Sequence, residues 1–289
     1  MTREAFRRMI EERYIVLDGA TGSNLRAAGM PVGVCTEQWV MENPKPLQDL
    51  QRAYAAAGSD IIYAPTFSAN AISLAMYGLQ DRMAEMNRVL VGISREAVGD
   101  KILIAGDMTT TGKQPDTEGA PTYEELLTAY RDQAQALYEA GVDLFAVETM
   151  LGVTECCAAI EGIRQVCDLP ILCTLTLDSV GGCYFDGDAE QAVEQLSAIG
   201  ADAIGINCSA GPDVLEDIVR RMVKISPVPI VAKPNAGMPE IRADGTAVYS
   251  MGPGKFAWSM QALKNAGARI LGGCCGTTPE HIRALKESL

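Results

Sequence analysis

Histidine is almost absent. The chain of 289 residues carries one, His281. A site with two or three imidazole metal ligands is therefore excluded, and a Ser-His-Asp triad survives only if that residue serves it. Positive charge is scarce too: 24 Lys+Arg face 37 Asp+Glu, a formal net charge of −13. With no basic run, neither nucleic acid nor a membrane surface is expected as a partner, because both need clustered Lys and Arg. Long apolar runs are missing as well, and none reaches the ~18 residues that span a bilayer. The first residues, Met1-Thr2-Arg3-Glu4-Ala5-Phe6-Arg7-Arg8, are charged and lack the apolar centre of a secretory signal. A cytoplasmic, reducing setting is the expectation, in which the nine cysteines are thiols, metal ligands or nucleophiles rather than disulfides. Asn207-Cys208-Ser209 then matches a glycosylation pattern by accident. Apolar residues are present in quantity, at 48%, which is ordinary for a globular fold and too high for disorder.

Short, nearly continuous apolar runs recur at intervals. They span Tyr14–Leu17, Asp60–Ala64, Lys101–Ala105, Asp143–Val147, Pro170–Leu177, Ala203–Ile206, Pro229–Ala232 and Arg269–Leu271. Such runs read as strands buried on both faces of a parallel sheet. Between them the spacing turns helical: Leu126, Leu127, Tyr130, Ala134 and Leu137 fall on one stripe of the segment from Tyr123 to Ala140. Four helix-like segments end alike, at Gly58, Gly141, Gly200 and Gly267, with a strand starting about two residues later. Eight such units predict an α/β fold of the (β/α)8 TIM-barrel type, one domain over residues 1–289. An open doubly wound sheet would want a Gly-rich dinucleotide loop, and the chain has neither GxGxxG nor a P-loop. Two long insertions, residues 19–45 and 234–254, follow the first and seventh strands and belong to the C-terminal face, where barrel enzymes carry their sites.

Three cysteines leave strand ends at that face. Strand six runs into Asn207-Cys208-Ser209, and strand eight into Gly272-Gly273-Cys274-Cys275-Gly276. Adjacent strand residues point to opposite faces, so Cys274 and Cys275 share one site only if the backbone leaves strand geometry, which the flanking glycines permit. Three thiolates and an open fourth position suit zinc. The resulting net negative charge suits alkylation of a bound thiolate better than activation of water. The long gap from Cys208 to Cys274 is no compact zinc signature, and spacing alone leaves metal binding and plain burial both open. Cys156, Cys157, Cys167, Cys173 and Cys183 read as buried bystanders; Cys35, in the first long loop, is undecided.

At these residues the chain resembles the homocysteine S-methyltransferase family, which includes the homocysteine-binding module of cobalamin-dependent methionine synthase and betaine–homocysteine methyltransferase. The matching phrases are Leu17-Asp18-Gly19-Ala20-Thr21-Gly22, Ala64-Pro65-Thr66-Phe67-Ser68-Ala69-Asn70, Val147-Glu148-Thr149, Gly205-Ile206-Asn207-Cys208, Pro234-Asn235-Ala236-Gly237 and Gly272 through His281. The resemblance covers essentially the whole chain. It implies a zinc-dependent barrel that methylates the homocysteine thiol to give methionine, with zinc on Cys208, Cys274 and Cys275. It also implies that Asp18 and Glu148 pair with the substrate ammonium. Backbone N–H groups of Gly19, Ala20, Thr21 and Gly22 would meet the substrate carboxylate, Asn207 would lie in the site, and Asn235 would hold the open zinc position, or a water on it, until the thiol arrives.

The implied methyl donor is a corrinoid supplied by a partner protein, or a small sulfonium or ammonium compound. Thr21, Thr109-Thr110-Thr111 and Lys233 depart from the family's pattern at the mouth, which bears on the thiol acceptor and the donor. Methylation of a different thiol stays open. So do a Schiff-base lyase using Lys233 at the end of strand seven and a non-catalytic zinc or redox sensor. His281 is expected in the first turn of the last helix, in a structural role.

Overall fold

The computed structural model describes residues 1–242 and 247–289; residues 243–246, within the expected insertion 234–254, lie outside the described residues. Parallel strands β1 (Ile15–Val16), β2 (Ile61–Tyr63), β3 (Leu103–Thr109), β4 (Leu144–Met150), β5 (Ile171–Leu175), β6 (Ala203–Cys208) and β7 (Ile230–Pro234) come in chain order. A two-stranded antiparallel hairpin follows, β8 (Pro239–Ile241) and β9 (Ala247–Tyr249), and then the last parallel strand, β10 (Ile270–Leu271). The eight parallel strands pair in the order β1-β10-β7-β6-β5-β4-β3-β2. A bridge between Leu17 and Ile61 and the bond from Asp60 N–H to the Val16 carbonyl, 2.7 Å, join β1 to β2 and close the ring. The expected (β/α)8 barrel is the observed fold.

Helices α1 (Arg3–Glu12), α2 (Gly22–Ala27), α3 (Thr36–Glu42), α4 (Pro44–Ala57), α5 (Ala71–Ala75), α6 (Met83–Val98), α7 (Tyr123–Glu139), α8 (Val153–Val166), α9 (Ala189–Ala198), α10 (Glu216–Ile225), α11 (Pro253–Ala266) and α12 (Pro279–Glu287) complete the chain. Local sequence explains their ends. Thr122 and Glu125 form a reciprocal capping box at the start of α7. Gly58, Gly141, Gly200 and Gly267 all take positive φ, 85° to 112°, so the repeated junction phrase is a left-handed helix stop used four times. On α7, Leu126, Tyr130, Ala134 and Leu137 are buried as the stripe predicts, with Leu127 half-buried at its edge.

Strand side chains divide between two cores. Ile15, Leu17, Ile61, Leu144, Leu172, Val231 and Ile270 fill one cluster with Phe6 and Ile10, so α1 packs against the barrel's inner layer. Alternate strand residues such as Ile104, Phe145, Val147 and Ile204 pack on the outer helices. Burying each such side chain fully contributes about 1.5–3 kcal/mol. Among the described residues no helix is long and apolar enough to cross a membrane.

Four strands run farther than apolar continuity suggests. β6 reaches Cys208 rather than Ile206, and β7 reaches Pro234 rather than Ala232. β3 reaches Thr109 rather than Ala105, and β4 reaches Met150 rather than Val147. In β3 and β4, Met108 and Met150 stay in the outer core while neighbouring side chains turn to the mouth, which carries Asp107 and Glu148 into the site.

Candidate active site

The barrel's C-terminal mouth encloses a cavity of ≈ 520 Å³, lined in part by Cys208, Cys274 and Cys275. One sulfur from each of these residues lies within 4.8 Å of the other two, and the Cys208 and Cys275 sulfurs are 3.8 Å apart. Sulfurs held about 2.3 Å from a tetrahedral zinc would stand about 3.8 Å from one another. The three donors thus fit a zinc ion.

The backbone brings them together as the glycine-rich phrase requires. β10 stops at Leu271, and Cys274 N–H then bonds the Pro234 carbonyl at 2.7 Å while the Cys275 carbonyl accepts from Ala236 at 2.9 Å. Gly276 sits at φ 79° with the Tyr249 ring where a Cβ would be, 2.3 Å away, so only glycine passes there. Cys208 and Ser209 take left-handed conformations, φ 55° and 51°, and Thr149 does the same at φ 60°. Such strain costs on the order of 1–3 kcal/mol per residue and persists only where neighbours impose it. Here Asn207 imposes it on Thr149: its Oδ1 accepts the Thr149 N–H and its Nδ2 donates to the Thr149 hydroxyl, both at 2.7 Å.

The crowded thiols share protons. Hydrogen bonds from Cys208 and Cys274 hold Cys275 down to about 3, with the Tyr249 hydroxyl as a further donor. Cys208, donating to both of its neighbours' sulfurs, is pushed up.

Next to the sulfurs lies a buried charge cluster. Lys233 ends β7 with 3% of its surface exposed. Its ammonium stands 3.4 Å from Glu148 Oε2, 3.8 Å from Asp18 Oδ1 and 4.7 Å from the centre of the Tyr63 ring. Burial pushes Asp18 up to about 7 against the pull of Lys233, and does the same to Glu148. Asp107 is raised well above its ordinary range by burial and then by the Glu148 charge. Burial would lower Lys233, but Glu148 and Asp18 more than offset it and keep the ammonium protonated.

The structure brings together most of the residues singled out in the sequence. Asp18, Gly19, Ala20, Thr21, Gly22 and Glu148 line the cavity with the three cysteines. Asp18 Oδ2 accepts the Tyr63 N–H at 2.9 Å, which leaves Oδ1 facing Lys233. Among the expected backbone donors, Ala20 N–H is taken by Thr277 Oγ1 at 3.0 Å. Asn207 is fully buried and does not line the cavity; its Nδ2 lies 3.4 Å from Glu148 Oε2 and 3.9 Å from the Cys274 sulfur. Asn235 is also buried outside the lining, its Oδ1 without a partner. Of the departures, Thr110 and Thr111 line the cavity while their hydroxyls bond the buried Glu155 carboxylate.

His281 lies in the first turn of α12. Its Nδ1 accepts the Thr278 N–H at 3.2 Å and its Nε2 meets the Met251 carbonyl at 2.9 Å, the structural role expected of it. Sequence reasoning missed Asp107, Tyr63 and Tyr249. Asp107 had a signal, an acid two residues past an apolar run; Tyr249 had none.

Comparisons with known proteins bear on the family and the fold. The family model for homocysteine S-methyltransferase matches residues 15–289. Methionine synthase of Mycobacterium tuberculosis is 29% identical over 299 residues, covering 97% of this chain and 25% of that protein. Methionine synthase of Mycobacterium leprae is 29% identical over 298 residues, covering 97% and 24%. The chain thus spans about a quarter of the length of these curated relatives. Among solved structures, the metallated form of the homocysteine methyltransferase MmuM from Escherichia coli superposes with a TM-score of 0.81 at 24% identity, over 98% of this chain and 99% of that one, a likeness of fold. With the match running from β1 to the last residue, this chain belongs to the homocysteine S-methyltransferase family.

Proposed function

We propose that this chain, acting as one barrel domain over residues 1–289, transfers a methyl group to the thiol of homocysteine and releases methionine. The observation that carries the reading is the convergence of Cys208, Cys274 and Cys275 at zinc-compatible spacing inside the family's own phrases. Cys208, Cys274 and Cys275 would hold zinc, which when bound would let the acceptor sulfur ionise at neutral pH and, with three thiolate ligands, would leave that sulfur electron-rich.

The chain's own residues bind and orient. Asp18 and Glu148, ionised through pairing with a cation, take the substrate ammonium. Asn207 fixes Glu148 and the strained Thr149 from behind. Gly19, Thr21 and Gly22 present backbone to the rest of the amino acid, and Asn235, whose buried Oδ1 has no partner, would hold the metal's open position, or a water on it, before the thiol arrives. The mouth positions the acceptor, and its sulfur attacks the donor's methyl carbon in line as the bond from that carbon to the leaving group breaks. No group near the sulfur needs to act as a general base.

For the donor we propose a methylcorrinoid carried by a partner protein, with a small sulfonium or ammonium compound as the second candidate. The mouth supports a docked partner: Val32, Met76, Val180, Tyr184, Val214 and Met238 all sit exposed on loops that follow strands. Nine free cysteines support a reducing, cytoplasmic setting. The Schiff-base reading finds no support, because a nucleophilic lysine must lose its proton and Lys233 is held protonated.

Metal analysis of the wild type and Cys208→Ser tests the reading, followed by assays offering homocysteine with methylcobalamin, S-methylmethionine and betaine in turn. Stoichiometric zinc in the wild type, lost in the variant, and methionine formed with one donor are the expected results. Full zinc in Cys208→Ser would sink the ligand set. Equal metal-edge spectra for the wild type and Asn235→Ala without substrate would count against the role of Asn235.

A further inference from the structure

The cavity floor holds polar groups that the fold leaves without partners. Lys233 lines the cavity, yet its two ion pairs are 3.4 and 3.8 Å long. A charge-assisted N–H···O bond normally closes to about 2.7–2.9 Å. An ammonium has three protons to place, and a lysine serving only to neutralise Asp18 and Glu148 would close on them. Beside it Asp18 Oδ1, Asp107 Oδ1 and the Tyr63 hydroxyl are buried with no hydrogen-bond partner, and all three residues line the same cavity. Buried polar atoms are rarely left in this state.

One cavity floor therefore presents unsatisfied carboxylate oxygens next to an under-coordinated cation. That is the complement of a zwitterion, with an ammonium for the acids and a carboxylate for the lysine. The backbone is a weaker rival for the carboxylate than its sequence suggests, because Ala20 N–H is already bound by Thr277.

We infer that Lys233 is a specificity-determining residue that reads the α-carboxylate of the thiol substrate, while Asp107 joins Asp18 and Glu148 in facing its ammonium. The inference rests on the thiol-methylation reading above and deepens it: the acceptor is a thiol bearing a complete α-amino-acid head. Two opposite charges carried on one carbon of the ligand meet opposite charges on neighbouring side chains of the cavity. The alternation also explains why a buried lysine is tolerated beside three acids, since the bound ligand completes its coordination.

The test is calorimetric binding to the zinc-loaded chain, with L-homocysteine and with 3-aminopropane-1-thiol, the same molecule without its carboxylate. No methyl donor is needed. A hydrogen bond to a charged group corresponds to roughly a 10- to 100-fold preference, so the wild type should favour homocysteine by about that factor. In Lys233→Met the preference should collapse to within about twofold, while Lys233→Arg, which keeps the cation, should retain most of it. If Lys233→Met fails to hold zinc, Lys233→Gln takes its place with the same expectation. A neutral variant that keeps the wild-type preference overturns the inference. So does a wild type that binds both thiols equally, which leaves thiol methylation standing. A wild type that takes neither thiol refutes the acceptor reading itself, and this inference with it.

Discussion

Replacing Lys233 by methionine should destabilise the metal-free, reduced chain at pH 8 and leave it unharmed or steadier at pH 5.5. At pH 8 Asp18 and Glu148, both pushed up to about 7, are ionised around the lysine. Removing the cation strands two buried carboxylates, and breaking a buried pair from one side costs about 3–5 kcal/mol. At pH 5.5 both carboxyls are largely protonated, so the buried ammonium is then the unpaired charge and its removal relieves the fold.

The direction follows from linkage. Each carboxyl's folded value lies above its ordinary 3.8 or 4.5. The stability it contributes is complete below about 4 and is lost as pH rises through about 7. Without Lys233 the lowering pull disappears, both groups titrate higher, and the loss continues past pH 7. Urea unfolding at the two pH values reads this out. With a slope of about 3 kcal/mol/M the midpoint should fall by about 1–1.7 M at pH 8, and stay level or rise at pH 5.5. An equal midpoint difference at both pH values would refute the reasoning, because it would mean that the lysine's contribution is packing rather than charge.

Three other perturbations probe the frame. Thr277→Val removes the hydroxyl that accepts from Ala20 N–H and donates to the Cys274 carbonyl at 2.7 Å; the stranded amide should destabilise the fold by about 1–3 kcal/mol, and zinc affinity should fall with it in a competitive chelator titration. Phe6→Ala, in the barrel's inner cluster, should destabilise by about 3–5 kcal/mol with zinc stoichiometry unchanged, a separation that metal analysis and denaturant melts together would show. Glu155→Gln weakens the anchor that holds the Thr111 N–H, two threonine hydroxyls and the Tyr130 hydroxyl; amide exchange at Thr111 should accelerate while the three cysteines still bind metal.

The barrel was legible in the chain because its strands are buried on both faces, so their apolar continuity survives averaging over the two cores. The helix stops were legible because a left-handed residue selects glycine, and the four repeated phrases each supplied one. The three-cysteine cluster was legible only in part. A glycine-flanked cysteine pair permits the backbone to leave the strand and aim both sulfurs one way, and Gly276 under Tyr249 shows that departure, but spacing by itself left metal binding and plain burial both open.

The charge cluster was not legible in the same way. Apolar continuity ends a strand at its last greasy residue, and two residues of the cluster, Asp107 on β3 and Glu148 on β4, lie beyond that point while remaining in the strand. Lys233 stood out in the sequence only as an odd residue at a strand end, open to reading as a nucleophile. What separates a nucleophilic lysine from a charge-reading one is the company it keeps across strands: a lone buried amine is driven toward its neutral form, and one set between two carboxylates is driven the other way. That company is assembled from β1, β4 and β7, which lie far apart in the chain, so neither spacing nor composition could have shown it.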